Sequence, residues 1–110
     1  MMFKCSVCGF ISNETDAPDV CPKCGAPKEK FVALSEEAAE KIDRACFTNS
    51  LHMELAGLMD QVAALCEEGI EDELDPGCVA VFTKGLDAAE IVKACVMAEI
   101  EVHVNKSKWG

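Results

Sequence analysis

The sequence predicts an α+β protein in which a small metal-stapled β domain, residues 1–34, precedes an all-α helical hairpin or bundle, residues 35–110. Two observations lead to this prediction. The first 34 residues carry two Cys-x-x-Cys-Gly motifs, and in the remainder apolar residues recur with the period of an α-helix. The length of 110 residues suits a mini-domain followed by a helical unit.

The two cysteine motifs are Cys5-Ser6-Val7-Cys8-Gly9 and Cys21-Pro22-Lys23-Cys24-Gly25. Two intervening residues let both sulfurs of one turn point at a common centre, and the following glycine tolerates positive φ. Four thiolates are enough for one tetrahedral site, which selects zinc or iron. Two disulfides in a small secreted domain are the alternative, which the absence of a signal peptide before the first cysteine disfavours.

Residues 3–10 (FKCSVCGF) and 17–31 (APDVCPKCGAPKEKF) resemble the rubredoxin-like domain of rubrerythrins. The similarity includes the short spacing between the motifs, the Cys-Pro-x-Cys-Gly sequence and the Ala-Pro-Lys-x-x-Phe exit, and it covers roughly residues 1–34. The resemblance implies one iron that cycles between ferric and ferrous, with zinc as an alternative or misloaded metal. Its ligands would be Cys5, Cys8, Cys21 and Cys24. One feature departs from the family: rubrerythrins usually carry this domain after a long four-helix di-iron domain, whereas here it comes first.

The predicted β domain is too small to fold by core burial alone, so the metal should supply much of its folding free energy. Short strands are expected within 3–11 and 29–34, pairing near the cysteine motifs. Phe3, Phe10 and Phe31 should pack over the metal as an apolar lid, and a dry shell of this kind tunes a redox potential.

The first helix is predicted to begin after Ser35, a favourable N-cap that is followed by two glutamates. Gly69 is expected to end it, with an acidic loop over 67–75, and a break is expected near 48–50 because Phe47-Thr48-Asn49-Ser50 is poor in helix formers. Its predicted apolar face comprises Leu51, Leu55, Leu58, Met59, Val62, Leu65 and Cys66.

The second helix is predicted to begin at Asp75-Pro76, an N-cap followed by a proline at the first helical position, and to run towards Lys106. A second break is expected at 85–87, after Lys84-Gly85. The favoured arrangement is a bent antiparallel hairpin. The apolar residues in one phase are Phe82, Leu86, Ala89, Val96, Ile100 and Val104.

Four further cysteines lie in the helical stretches, where cysteine usually serves as a small buried apolar residue. A hairpin that turned near Asp72 would set Cys66 nearly opposite Cys78. It would also bring Cys46 within about one turn of Cys95, which suggests a redox-responsive pair as the alternative.

The net charge of −10 comes from residues 35–110, because the first 34 residues hold four lysines and four acidic residues. Such a surface disfavours nucleic acid and anionic membranes as partners. No apolar run is long enough to span a bilayer, and no targeting segment is visible, so a cytoplasmic location is expected. The acidic surface either serves solubility or docks a basic redox partner, a reductase or a peroxidase.

A second metal site in the helices is a further hypothesis, formed by His52, Glu99 and His103. Cys95, Glu99 and His103 follow one another at i, i+4 and i+8, and imidazole plus carboxylate at this spacing can share one ion. The alternative is that both histidines are hydrogen-bonded at the edge of the helix seam. A hairpin turning at Asp72 would place His103 opposite Lys41, so joining the histidines would need helix breaks or a homodimer through the helices.

Three functions remain open from the sequence. The first is an electron carrier with one iron held by four cysteines and no catalytic residues, serving an oxidative-stress or anaerobic redox pathway. The second, implied by the resemblance, is a minimal rubrerythrin-like peroxidase whose di-iron centre forms by dimerisation, although the chain contains no Glu-x-x-His sequence. The third is a zinc-ribbon interaction module in which the metal is structural.

Overall fold

The computed structural model describes all residues from Met1 to Gly110, and it confirms the α+β class. A small antiparallel sheet is followed by two long helices. The elements are β1 (Phe3–Cys5), β2 (Ile11–Ser12), a 3-10 turn (Lys28–Lys30), β3 (Phe31–Ala33), α1 (Glu36–Asp72) and α2 (Pro76–Asn105). Neither helix combines the length and the apolar character that crossing a bilayer requires.

The chain divides into two compact units. The first, the knuckle unit, contains Met1–Phe47 and Lys106–Gly110; the second, the hairpin unit, contains Thr48–Asn105. The division into residues 1–34 and 35–110 stays a prediction.

In the knuckle unit, β1 is the central strand of a sheet with the order β2-β1-β3. Phe3 pairs with Ser12 on one side and with Ala33 on the other. The N–H of Leu34 donates to the carbonyl of Met2 at 2.8 Å, which extends the second pairing. The strands are shorter than the predicted ranges because the first cysteine motif turns the chain between β1 and β2.

The apolar core of the knuckle unit is small. Its fully buried apolar side chains are Met2, Cys5, Cys21 and Ile42. The C-terminal tail contributes to the same unit, because a Cβ on Gly110 would lie 2.8 Å from Ile11 and 3.2 Å from Ile42. A core of this size supports the expectation that a metal stabilises the unit.

Both predicted helix starts are correct. The N–H of Ala38 donates to Ser35 Oγ at 3.1 Å, and the N–H of Cys78 donates to Asp75 Oδ1 at 2.7 Å. These contacts satisfy N–H groups that have no partner within the first turn. The donated hydrogen bond also lowers the pKa of Asp75.

The predicted breaks are wrong, because α1 continues for 37 residues and α2 for 30 residues. Gly69 does not end α1: a Cβ there would collide with the Phe82 ring. A Cβ on Gly85 would lie 2.7 Å from Cys66 Sγ. Both glycines therefore serve close helix–helix packing, and the predicted acidic loop over 67–75 is reduced to a turn at 73–75. Glu73 makes this turn with a φ of 45°.

The hairpin is closed by a seam of buried and half-buried residues on the two helices. Its members on α1 are Asn49, His52, Ala56, Met59, Ala63 and Cys66, and its members on α2 include Phe82, Ala89, Val92, Val96 and His103. The α1 spacing alternates between three and four residues, as in a coiled coil. The predicted pairing of Cys66 with Cys78 is wrong, since Cys66 lies beside Gly85. The pairing of Cys46 with Cys95 stays a prediction.

The residues of the apolar face predicted on α1 are not all buried. Cys66 is buried and Met59 is half-buried, but the four leucines and Val62 are exposed. The hairpin alone therefore does not bury the leucines.

We predict that Gly69→Ala lowers the free energy of unfolding by about 1–3 kcal/mol, because the added methyl collides with the Phe82 ring. Gly57→Ala is the matched control, since a Cβ there meets nothing within 4 Å. It should stabilise the helix by about 0.5–1 kcal/mol through helix propensity. Urea denaturation followed by circular dichroism measures both. A stabilising Gly69→Ala would show that the two helices do not pack closely at this point.

Candidate metal centre

Four cysteine sulfurs converge in the knuckle unit. Cys5 Sγ lies 3.7 Å from Cys24 Sγ, and Cys8 Sγ lies 3.6 Å from Cys21 Sγ. All four sulfurs lie within 4.8 Å of one another, and no other group of three or more metal-ligating side chains in the chain converges in this way. A tetrahedron with metal–sulfur bonds of about 2.3 Å has edges of about 3.8 Å. Two of the sulfur–sulfur distances match this edge, so the four cysteines could hold a metal ion in a tetrahedral arrangement.

Two equivalent turns of the backbone present these sulfurs. In the first, the N–H of Gly9 donates to the carbonyl of Cys5 at 2.9 Å; in the second, Gly25 donates to Cys21 at the same distance. Gly9 has a φ of 84° and Gly25 a φ of 77°, so the prediction of positive φ at both glycines is confirmed. A side chain at either position would strain the turn that aims the sulfurs.

The sheet and a short bridge hold the two turns in place. Cys5 ends β1 opposite Phe31, and the N–H of Ser6 donates to the carbonyl of Lys30 at 2.9 Å. Around the second turn, Val20 pairs with Pro27. Backbone hydrogen bonds therefore position the sulfurs.

The site has a buried side and an exposed side. Cys5 and Cys21 are 1% and 2% exposed, whereas Cys24 is exposed. The three aromatic residues predicted to form a lid, Phe3, Phe10 and Phe31, are all half-buried. Two exposed valines, Val7 and Val20, lie in sequence beside the ligands. One edge of the site is thus open to a partner.

The thiols differ in acidity. Burial raises the pKa of Cys21, but N–H groups of Cys24 and Lys23 and the neighbouring thiols outweigh it and bring this pKa down to about 6. The pKa of Cys5 is also lowered, with burial opposed by N–H groups of Cys8 and Val7. At Cys24 the Ala26 N–H lowers the pKa, yet burial and three neighbouring thiols raise it to about 12. Full deprotonation therefore requires a cation among the sulfurs, and metal binding must release protons.

In the hairpin unit, the structure brings the second set of predicted ligands close together. The rings of His52 and His103 lie 5.8 Å apart between centroids, edge to face. His103 Nε2 lies 3.5 Å from Glu99 Oε1. The prediction that the hairpin register separates the two histidines is wrong, so neither helix breaks nor a dimer is needed to join them. His52, Glu99 and His103 are not among the groups of three or more side chains whose ligand atoms converge tightly enough to hold a metal ion.

Asn49 is a member of this cluster that the sequence reasoning missed. It is 5% exposed, and its Oδ1 lies 2.5 Å from His103 Nδ1. The Nδ1–H of His103 donates to this oxygen, which leaves the Nε2 lone pair facing the Glu99 carboxylate. The sequence could have indicated this residue, because Asn49 lies three residues before His52 and so shares its helix face.

Two comparisons place the N-terminal region among known proteins. Residues 3–32 match the family described as rubrerythrin, rubredoxin-like domain. Reverse rubrerythrin-1 of Clostridium acetobutylicum is 57% identical over 35 residues, which cover 32% of this chain and 19% of that protein. No solved structure matches. The predicted resemblance is therefore confirmed for the N-terminal region, and the chain spans about a fifth of the curated relative's length.

We predict that Cys21→Ala abolishes metal binding and unfolds the knuckle unit, because it removes one of four ligands and a buried core residue. Cys46→Ala is the control, since Cys46 is exposed and lies on α1 outside the cluster. Elemental analysis gives metal per chain, and amide hydrogen exchange reports on residues 1–34. Retention of one metal per chain in Cys21→Ala would contradict the assignment.

Proposed function

We propose that this protein carries single electrons through a mononuclear iron held by Cys5, Cys8, Cys21 and Cys24. The observation that carries the proposal is the convergence of four sulfurs within 4.8 Å of one another, two pairs of them at 3.6 and 3.7 Å, within a rubredoxin-like domain. With four protein ligands, a tetrahedral ion keeps no open position for a substrate. Such a site suits electron transfer better than catalysis at the metal.

Several features of the chain suit this role. Backbone hydrogen bonds fix both turns in addition to any bonds to the metal, so little rearrangement would accompany a change of one charge. The buried pair, Cys5 and Cys21, shields the ion from water, while Cys24 opens one edge for electron exchange. Bound iron would supply the change between the ferric and ferrous states. Iron is preferred to zinc because the N-terminal region resembles a rubrerythrin domain.

The partner we propose is a basic redox protein, a reductase or a peroxidase, in a cytoplasmic oxidative-stress or anaerobic pathway. The net charge of −10 favours association with a basic surface.

Anaerobic protein from an iron-replete host should contain one iron per chain, absorb visible light when oxidised, and bleach on uptake of one electron. Reduction by a basic reductase should slow as ionic strength rises, because salt screens the attraction. The same chain loaded with zinc is the control and should stay colourless and redox-silent. Native protein that contains only zinc would overturn the electron-transfer proposal and favour a zinc-ribbon interaction module.

A second candidate function is a minimal rubrerythrin-like peroxidase, favoured by the cluster around His103. His103 is 9% exposed, and Asn49 orients its ring so that Nε2 faces Glu99. A hydrogen bond to the second ring nitrogen is the usual support of a metal-bound histidine. His103, Glu99 and His52 would hold the ion, which would supply redox chemistry to the helices.

Under this second proposal, iron-replete protein holds more than one metal per chain. His103→Ala should reduce the number to one while the absorption of the four-cysteine site stays unchanged, because His103 lies outside the knuckle unit. Glu101→Ala is the control, since Glu101 is an exposed neighbour on α2. One metal per chain in the unmodified protein, measured by elemental analysis, would exclude the helical site and leave the electron-carrier proposal intact.

A further inference from the structure

The hairpin unit exposes a row of large apolar residues along α1. Leu51, Leu55, Leu58, Val62 and Leu65 are 47%, 37%, 46%, 38% and 60% exposed. They are separated by four, three, four and three residues, which is the spacing of a coiled-coil seam. Scattered surface leucines are ordinary, but a second seam on one helix indicates a second helical neighbour.

The direction of this row follows from the seam that closes the hairpin. Each exposed residue comes directly before a seam residue: Leu51 before His52, Leu55 before Ala56 and Leu58 before Met59. One residue corresponds to about 100° around the helix. In a four-helix bundle, a helix contacts two neighbours that occupy adjacent corners of a square. The angle between the two seams of α1 fits such a corner.

Helix α2 repeats the pattern. The residues directly before the seam positions Phe82, Ala89, Val92 and Val96 are all exposed. They are Val81, Ala88, Ile91 and Cys95. Val81 and Ile91 are 68% and 56% exposed. Lys84, which directly precedes the half-buried Gly85, is the one charged residue that falls in the same row. This second row spans fifteen residues from Val81 to Cys95, as the first does from Leu51 to Leu65.

The two rows lie on the same face of the hairpin. Because α2 runs antiparallel to α1, the direction of rotation reverses when both helices are viewed from one end. A step of one residue towards each N-terminus therefore turns both rows to the same side. The opposite side is more polar, and the ion pair between Lys93 Nζ and Asp60 Oδ1, at 2.6 Å, crosses it. Asp60 and Lys93 each directly follow a seam residue, as this geometry requires.

We propose that a second copy of this chain covers the apolar face, so that two hairpins form a four-helix bundle. The face is about 25 Å long and about 20 Å wide. Burying it on both chains would remove roughly 1,000 Å² of surface from water in total, which is the lower limit for a specific interface. A two-fold dimer needs a self-complementary surface, and paired leucine-rich and alanine-containing rows provide one. An anionic membrane is disfavoured as the occupant by the net charge of −10.

Sedimentation equilibrium of the metal-loaded 110-residue chain tests the proposal. The wild-type protein should be a dimer at micromolar concentration. Leu58→Glu should raise the dissociation constant by at least about 100-fold, because a symmetric dimer would bury the charge twice. Met53→Glu is the matched control: Met53 is 53% exposed and lies on the opposite face, directly after His52. It should change the constant by less than about 3-fold.

A thermal measurement covers the case in which Leu58→Glu fails to fold. The melting temperature of the wild-type hairpin should rise with protein concentration, as for any structure stabilised by self-association. Leu55→Ala, which adds no charge, should weaken both the association and this dependence. A monomeric wild-type chain, an assembly of any other size, or equal effects of Leu58→Glu and Met53→Glu would overturn the proposal.

Discussion

The knuckle unit depends on the coordination of one ion by four thiolates. Its few buried apolar residues include two of the ligands, Cys5 and Cys21, so the metal site and the core overlap. Without a cation, burial and the neighbouring thiols raise the pKa of Cys24 to about 12. A bound ion must offset this resistance to deprotonation. Metal affinity, folding and proton release are therefore linked in this unit.

The hairpin unit is organised by different forces. Its seam is apolar except near one end, where the buried Asn49 and His103 are hydrogen-bonded to each other. A shift of one helix along the other would break this buried hydrogen bond, at a cost that apolar packing alone does not impose. This contact favours one register. The same contact points the second ring nitrogen of His103 at Glu99, so the structural role of Asn49 and a metal-binding role of His103 are compatible.

Glycine illustrates how packing overrides local preference. Glycine often marks the end of a helix, yet Gly69 and Gly85 both lie inside continuous helices. Their missing side chains make room for the Phe82 ring and for Cys66 Sγ. The helix-propensity cost of glycine is about 1 kcal/mol, which burial of an aromatic side chain exceeds. An aromatic residue opposite a helical glycine is visible in a sequence only when the register is already known.

The sequence by itself determined the features that depend on near neighbours along the chain. These are the four cysteines with their positive-φ glycines, and the helix starts at Ser35 and Asp75, because turns and caps are formed by residues within a few positions of each other. Only the tertiary structure decided the register that joins His52 to His103 and the division of the α1 apolar residues between a buried seam and an exposed row. Helical periodicity shows which residues share a side, but the neighbour on that side depends on contacts between residues far apart in sequence.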